Sequence, residues 1–363
     1  MKHLSEYRNL EAVQTVLAEI KKVVTQPWTI MEVCGGQTHS LVKNGILEML
    51  PAEVTMVHGP GCPVCVTPLN LIDKAIFLAE QEKVILCTFG DMVRVPGSQK
   101  SLLESKAAGA DIRILYSPLE AVNIAKDNPD RQVVFFAVGF ETTAPANALS
   151  VIHAHKLGLT NYSILASHVL VPPAIEAVMN DELTSIQGFL AAGHVCTIMG
   201  YEEYHPLAEK YNIPLVVTGF EPLDLVQGIL MVVKQLEKGE AKVENQYSRM
   251  VKEAGNMSAK EIIFEVFEVK DRTWRGIGLI GNSGYEVKEK YALYDAKRKF
   301  NINIPEAPEN PECISGDIMK GIKKPFDCPN FGKACTPINP LGAPMVSSEG
   351  ACAAYYHFSK VTM

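Results

Sequence analysis

Four cysteines in the last 51 residues, spaced Cys313-x14-Cys328-x6-Cys335-x16-Cys352, form a complete ligand set for one tetrahedral metal centre or one [4Fe-4S] cluster. Zinc ribbons and knuckles usually present two tight Cys-x2-4-Cys hairpins. Here the cysteines are spread over loops rich in Pro and Gly, among them Pro325, Pro329, Gly332, Pro337 and Gly342. A scattered cage suits a cubane with four separated corners. Structural zinc and a set of unrelated buried thiols are the competing readings.

A second group is Cys62-Pro63-Val64-Cys65, after the turn His58-Gly59-Pro60-Gly61 and ahead of a helix expected to start with Thr67 as N-cap and Pro68 at its first position. A Cys-x-x-Cys pair can close a disulfide, and the positive end of a helix lowers a thiol pKa. A redox dithiol, a metal half-site and inert thiols all fit, although no second pair follows at zinc spacing; the next cysteine is Cys87, inside an apolar strand. Cys34 opens Cys-Gly-Gly-Gln-Thr-His, whose glycines let a ligand or another backbone approach the sulfur. It reads as a binding cysteine with His39 as neighbour, or as a small buried hydrophobe. Cys87 and Cys196 read as core. His194, after Gly193, is a candidate for proton transfer or for a structural hydrogen bond. Asp91 and Glu141 are candidate site carboxylates or helix caps.

The elements that must position these residues come as two copies of one α/β unit, offset by about 104 residues. Residues 31–38 (MEVCGGQT) match 136–143 (FAVGFETT), and the apolar run before Thr67-Pro68 matches the run before Pro172-Pro173. Residues 84–88 match 189–193, and 117–122 (SPLEAV) match 221–226 (EPLDLV), each a strand end followed by a Pro-started helix. Short apolar strands alternating with helices predict parallel βαβ units, hence two similar doubly wound sheets side by side with a loop-rich C-terminal domain. Ligands of such sheets sit beyond the carboxyl ends of the strands. Cys34, residues 59–65, Asp91, Glu141 and His194 all fall there, and one cleft between the halves could gather them. The expected division is an N-terminal helix in 1–27, with Leu10, Val13, Leu17, Ile20 and Val24 on its docking face, α/β units in 28–131 and 132–240, and a [4Fe-4S] domain in 241–363.

Composition narrows the function. No apolar run approaches the roughly 18 residues of a membrane span, and residues 1–6 (MKHLSE) hold no apolar signal core, so a soluble cytoplasmic protein is expected. There thiols stay reduced, and nine cysteines are ligands, redox groups and core filler rather than a disulfide framework. A net charge of -7 without a basic stretch argues against nucleic acid.

Cys-Gly-Gly-Gln-Thr-His at 34–39, Gly-Pro-Gly-Cys-Pro-Val-Cys at 59–65, Gly-Phe-Glu-Thr-Thr-Ala-Pro at 139–145 and the four spaced cysteines together resemble the HypD family of hydrogenase maturation factors. The resemblance implies a scaffold on which, with a HypC-like partner, the Fe(CN)2(CO) unit of a [NiFe]-hydrogenase is assembled before transfer to the hydrogenase large subunit, with cyanide from HypE and HypF. It further implies Cys34 as iron ligand beside a partner thiolate, Cys62 and Cys65 as a redox pair, and Cys313, Cys328, Cys335 and Cys352 as [4Fe-4S] ligands. Family members often carry His where this chain has Gln37, which puts any role of residue 37 in doubt. A stand-alone thiol-disulfide oxidoreductase fed by the cluster is the alternative. A third class, an iron-sulfur lyase, needs a cluster with an open iron corner, against which four cysteines argue.

Overall fold

The structure is a computed structural model describing residues 6–304 and 307–359; residues 1–5, part of the stretch without an apolar signal core, lie outside it. Nine strands form two parallel sheets: β1 (Trp28–Glu32), β2 (Val54–His58), β3 (Val84–Thr88), β4 (Ile112–Ile114), β5 (Gln132–Gly139), β6 (Tyr162–His168), β7 (Gly188–Ala192), β8 (Leu215–Thr218) and β9 (Val243–Asn245). The first sheet runs β2-β1-β7-β8-β9 and the second β4-β3-β5-β6. β3 and β7 are buried along their whole length, which demands neighbours and covering layers on every side. The chain is therefore α/β with two similar doubly wound sheets, and the two copies read from the sequence are visible as matching strands.

The sheets do not divide where the sequence does. β1 and β2 of the first copy pair with β7 and β8 of the second, whereas β5 and β6 of the second copy pair with β3 and β4 of the first. Each sheet thus takes one βαβ half from each copy, and the expected boundary at 131/132 separates sequence repeats rather than sheets. The cause is the helix Leu69–Ala79, buried on one face, which carries the chain out of the first sheet into the second. Residues 243–245, expected in the C-terminal domain, are instead the edge strand β9.

In the first sheet β1 lies beside β7, in register from Ile30↔Gly188 to Glu32↔Leu190, and the chain proceeds outward on either side, to β2 and to β8. The strand order reverses between β1 and β7, so the crevice beyond their carboxyl ends is where an α/β sheet binds its ligand. Helix α1 (Leu10–Val23) packs on the helix Pro222–Lys238 of the same sheet, burying Val13, Leu17 and Ile20 against Ile229, Val232 and Val233. Leu10, expected on that face, is 61% exposed. An antiparallel pair, β10 (Phe267–Trp274) and β11 (Gly278–Val287), covers β6, where Leu170 N donates to Ser283 O at 2.9 Å. The cysteine-bearing segment beyond it consists of turns and short helices, of which the last is Ala351–Phe358. No helix among the described residues is long and apolar enough to cross a membrane.

Ile20 is fully buried between α1 and the sheet layer. Ile20→Ala is expected to cost about 2–5 kcal/mol in urea unfolding, with the fold retained.

Candidate functional site

β1 ends at Glu32, and two residues later Cys34 is the N-cap of helix α2 (Gly35–Lys43) in extended backbone. Its sulfur makes no cap hydrogen bond and lies 3.5 Å from Nδ1 of His194, which heads the helix Gly193–Met199 directly after β7. The adjacency of β1 and β7 is thus what joins thiol and imidazole. The ring of Phe220 closes on His194 at 5.3 Å between centroids. A Cβ at Gly35 would collide with the backbone of Glu349, and one at Gly61 with the backbone of Cys34; Gly35 N donates to Gly61 O at 2.8 Å. These close approaches are what the glycines at 35 and 61 provide. Burial, with the Glu349 charge nearby, holds the Cys34 thiol well above its ordinary pKa, and burial pushes His194 down to about 4. At neutral pH the pair is a thiol facing a neutral imidazole.

Cys62 and Cys65 form a disulfide, with Cα atoms 5.2 Å apart. Cys62 is the N-cap of the short helix Pro63–Val66, and its Sγ accepts from Cys65 N at 3.1 Å. Thr67, expected to cap the next helix, ends this one instead. Its hydroxyl donates to Pro63 O at 2.8 Å, and the N-cap of Leu69–Ala79 is Pro68. The helix Pro63–Val66 rests on the turn Ala343–Met345.

That turn borders a pocket lined by Cys313, Cys328, Cys335 and Cys352 together with Ile314, Ile318, Phe331, Leu341, Gly342, Pro344 and Met345. Gly342 is required here, since a Cβ would meet the Cys313 sulfur. Burial, then the charges of the neighbouring cysteines, raises the thiols of Cys335 and Cys352. No three His, Cys, Asp or Glu side chains among the described residues converge as a site for a single ion. The four sulfurs share one apolar pocket, a soft donor set whose chemistry fits an iron-sulfur cluster.

The other sequence candidates separate. His39 faces the C-terminal segment rather than Cys34: its Nδ1 is 3.0 Å from Ser348 O and its ring meets Phe358. Gln37 is buried, with Nε2 donating to Ala191 O and Thr218 Oγ1, so it ties α2 to β7 and β8. Asp91 lies in the turn Gly90–Arg94, 3.6 Å from Arg94, and Arg94 donates to Val346 O. Glu141 is a cap after all, for a helix distant in sequence: its Oε1 accepts from Val171 N at 2.9 Å, in the first turn of Val171–Met179. Cys87 and Cys196 are core.

Sequence reasoning missed the group that joins the motifs. Glu32, 0% exposed, accepts from the Thr38 hydroxyl at 2.5 Å and from Gly59 N at 3.3 Å, and its Oε1 lies 2.5 Å from His58 Nδ1. His58 Nε2 lies 2.8 Å from the hydroxyl of Tyr355, three residues beyond Cys352 on the C-terminal helix. The available signal was a carboxyl inside the apolar run Ile30-Met31-Glu32-Val33.

Fold and site define an α/β protein with cysteines gathered at one sheet's switch point and in a four-cysteine pocket. The HypD family model, described as the hydrogenase formation hypA family, matches residues 11–359. The chain is 46% identical to the hydrogenase maturation factor HypD of Azotobacter vinelandii, over 99% of this chain and 97% of the relative. It is 43% identical to HypD of Escherichia coli K12, over 99% and 98% respectively. The chain belongs to the HypD family of hydrogenase maturation factors.

Burial raises the Glu141 carboxyl from 4.5 to about 8, so the folded protein keeps a proton that the unfolded chain has lost between those values. The contribution of Glu141 to stability should therefore fall as pH rises from about 4.5 to about 8, by roughly a few kcal/mol, and level off above. Glu141→Gln keeps an oxygen for Val171 N and should flatten that slope in pH-dependent thermal unfolding; an unchanged slope would assign it to other groups.

Proposed function

We propose that this chain, with a small HypC-like partner, holds an iron atom carrying two cyanides and one CO during its assembly for a [NiFe]-hydrogenase, with Cys34 as the sulfur ligand. The observation that carries the reading is the seat of Cys34: a lone thiol at the switch point of a sheet, 3.5 Å from a neutral imidazole. A thiol binds iron as thiolate, so its proton must leave when the bond forms. His194 Nδ1 is placed to take it. Gly35 and Gly61 leave Cys34 close to two other backbones, and Phe220 shields one side of the imidazole from water.

Cys313, Cys328, Cys335 and Cys352 would hold a [4Fe-4S] cluster, which supplies electrons one at a time. The Cys62–Cys65 disulfide takes two electrons and two protons to become two thiols, and gives them back on closing. The contact of the helix Pro63–Val66 with the turn beside the four-cysteine pocket supports electron exchange between these two groups. In this reading cyanide comes from HypE, supplied by HypF, the finished iron unit passes to the hydrogenase large subunit, and the setting is the cytoplasm, where thiols stay reduced. The disulfide also favours a second reading, a self-contained thiol-disulfide oxidoreductase, which would turn over disulfide substrates without a partner.

The deciding measurement is infrared spectroscopy of the chain purified with its HypC-like partner, because bound CN and CO absorb where protein does not. Cys34→Ala and Cys34→Ser should keep the fold and the cluster iron yet lose both sets of bands; undiminished bands in Cys34→Ala would place the iron elsewhere.

Replacing any of Cys313, Cys328, Cys335 or Cys352 with Ala should lower bound iron and bleach the visible absorbance. It should also lower the melting temperature, since metal binding supplies folding free energy that a loop-rich segment lacks. A full cluster in two or more of the single variants would sink the assignment.

A further inference from the structure

Cys34 is sealed. It is 3% exposed, with Gly61 packed on its backbone, Glu349 against Gly35 and Phe220 over Gly36. A sulfur that receives and releases an iron unit has to be reached, so the seal must open.

Two lips of the seal are tied to one carboxyl. Glu32 binds the loop at 59–61 through both its main chain and its side chain: Gly59 N donates to Glu32 O at 2.8 Å and to Oε2 at 3.3 Å, and Gly61 N donates to Gly59 O. The Thr38 hydroxyl brings the first turn of α2 to the same group. The oxygen that accepts from Thr38 also meets His58 Nδ1, and His58 is held by Tyr355. Tyr355 belongs to the helix of Cys352, and its ring packs on Phe326, which packs on Phe331 in the wall of the four-cysteine pocket. The third lip, Glu349, lies in the segment that leads into that helix. A shift of the C-terminal helix thus reaches the seal by a continuous chain of hydrogen bonds.

We propose that Tyr355 and His58 are positioning residues that couple the four-cysteine pocket to Cys34. A filled pocket fixes the C-terminal helix, Tyr355 then holds His58 and Glu32 in place, and the seat over Cys34 stays shut. Loss of that hold loosens residues 59–61 and exposes the sulfur. The coupling rests on the reading of the pocket as a cluster site; the role of Tyr355 at the seal does not.

The test is timed alkylation with iodoacetamide, read by mass spectrometry at each cysteine, of the full-length protein carrying iron in the four-cysteine pocket and purified without its partner, so that Cys34 itself holds none. Tyr355→Phe removes one hydroxyl and keeps the ring. It should leave the iron content unchanged and raise the Cys34 rate about tenfold, with Cys87 and Cys196 unchanged. Stripping iron from the wild type with a chelator should raise the Cys34 rate similarly, and should add little in Tyr355→Phe. An unchanged Cys34 rate in the variant, or an equal rise at all three cysteines, would overturn the positioning role. Wild type that does not respond to iron loss, or a variant that responds as strongly, would overturn the coupling. Neither arm uses cyanide or CO, so labelling can fail while the infrared bands persist, and the bands can fail while labelling succeeds.

Discussion

A carboxyl group with no access to solvent is tolerated only when its oxygens are hydrogen-bonded, and Glu32 meets that condition with groups drawn from two places in the chain, Thr38 and the adjacent pair His58 and Gly59. Thr38 comes from the helix headed by Cys34, Gly59 from the loop that leads to Cys62, and His58 carries the connection on to the helix of Cys352. Losing one partner of such a group costs about 1–3 kcal/mol, the price of leaving a buried polar atom unmatched. Each motif is consequently fixed relative to the others by a single side chain, and α2, the end of β2 and the C-terminal helix depend on it for their mutual placement.

The interleaved repeat explains why only one of two similar sheets carries a cysteine–histidine pair at its reversal. Each sheet has a reversal in strand order, between β1 and β7 in the first and between β5 and β3 in the second. The first reversal brings together Cys34 and His194. At the second, Gly139 stands at the position matching Cys34, and Glu141 nearby is committed to the backbone of Val171. Neither copy alone makes the Cys34–His194 pair, because thiol and imidazole come from different copies.

Much of this was legible in the sequence because it rests on local patterns. Strand–helix alternation revealed the two units, and Pro-started helices revealed their phase. The four-cysteine spacing identified a set that does share one pocket, and Cys62-x-x-Cys65 identified a pair that does bridge. What escaped was what depends on pairing between distant strands. The repeat has the same appearance whether its halves stay together or exchange, so the mixed sheets were invisible. His39, close to Cys34 in sequence, points to the C-terminal segment, whereas His194, 160 residues away, faces the sulfur. Glu32 looked like one polar residue in an apolar strand, since its partners lie on two other segments, α2 and the end of β2 with the loop that follows.

The protonation state of the Cys34 pair bears on how such a site is used. A thiolate beside an imidazolium would attract any oxidant or soft metal that diffused in. Burial instead keeps the sulfur as a thiol and the imidazole neutral, so little reactive thiolate is present until something binds. In the proposed function that something is iron delivered with a partner's sulfur: the metal's positive charge stabilises the thiolate, and the imidazole, which burial keeps from holding an extra proton, can only pass the displaced proton on. The same balance favours release, because once the iron leaves, the buried thiolate is disfavoured and recovers its proton. Burial of Cys34 is thus compatible with ligation, and it makes ligation conditional on the arrival of a metal.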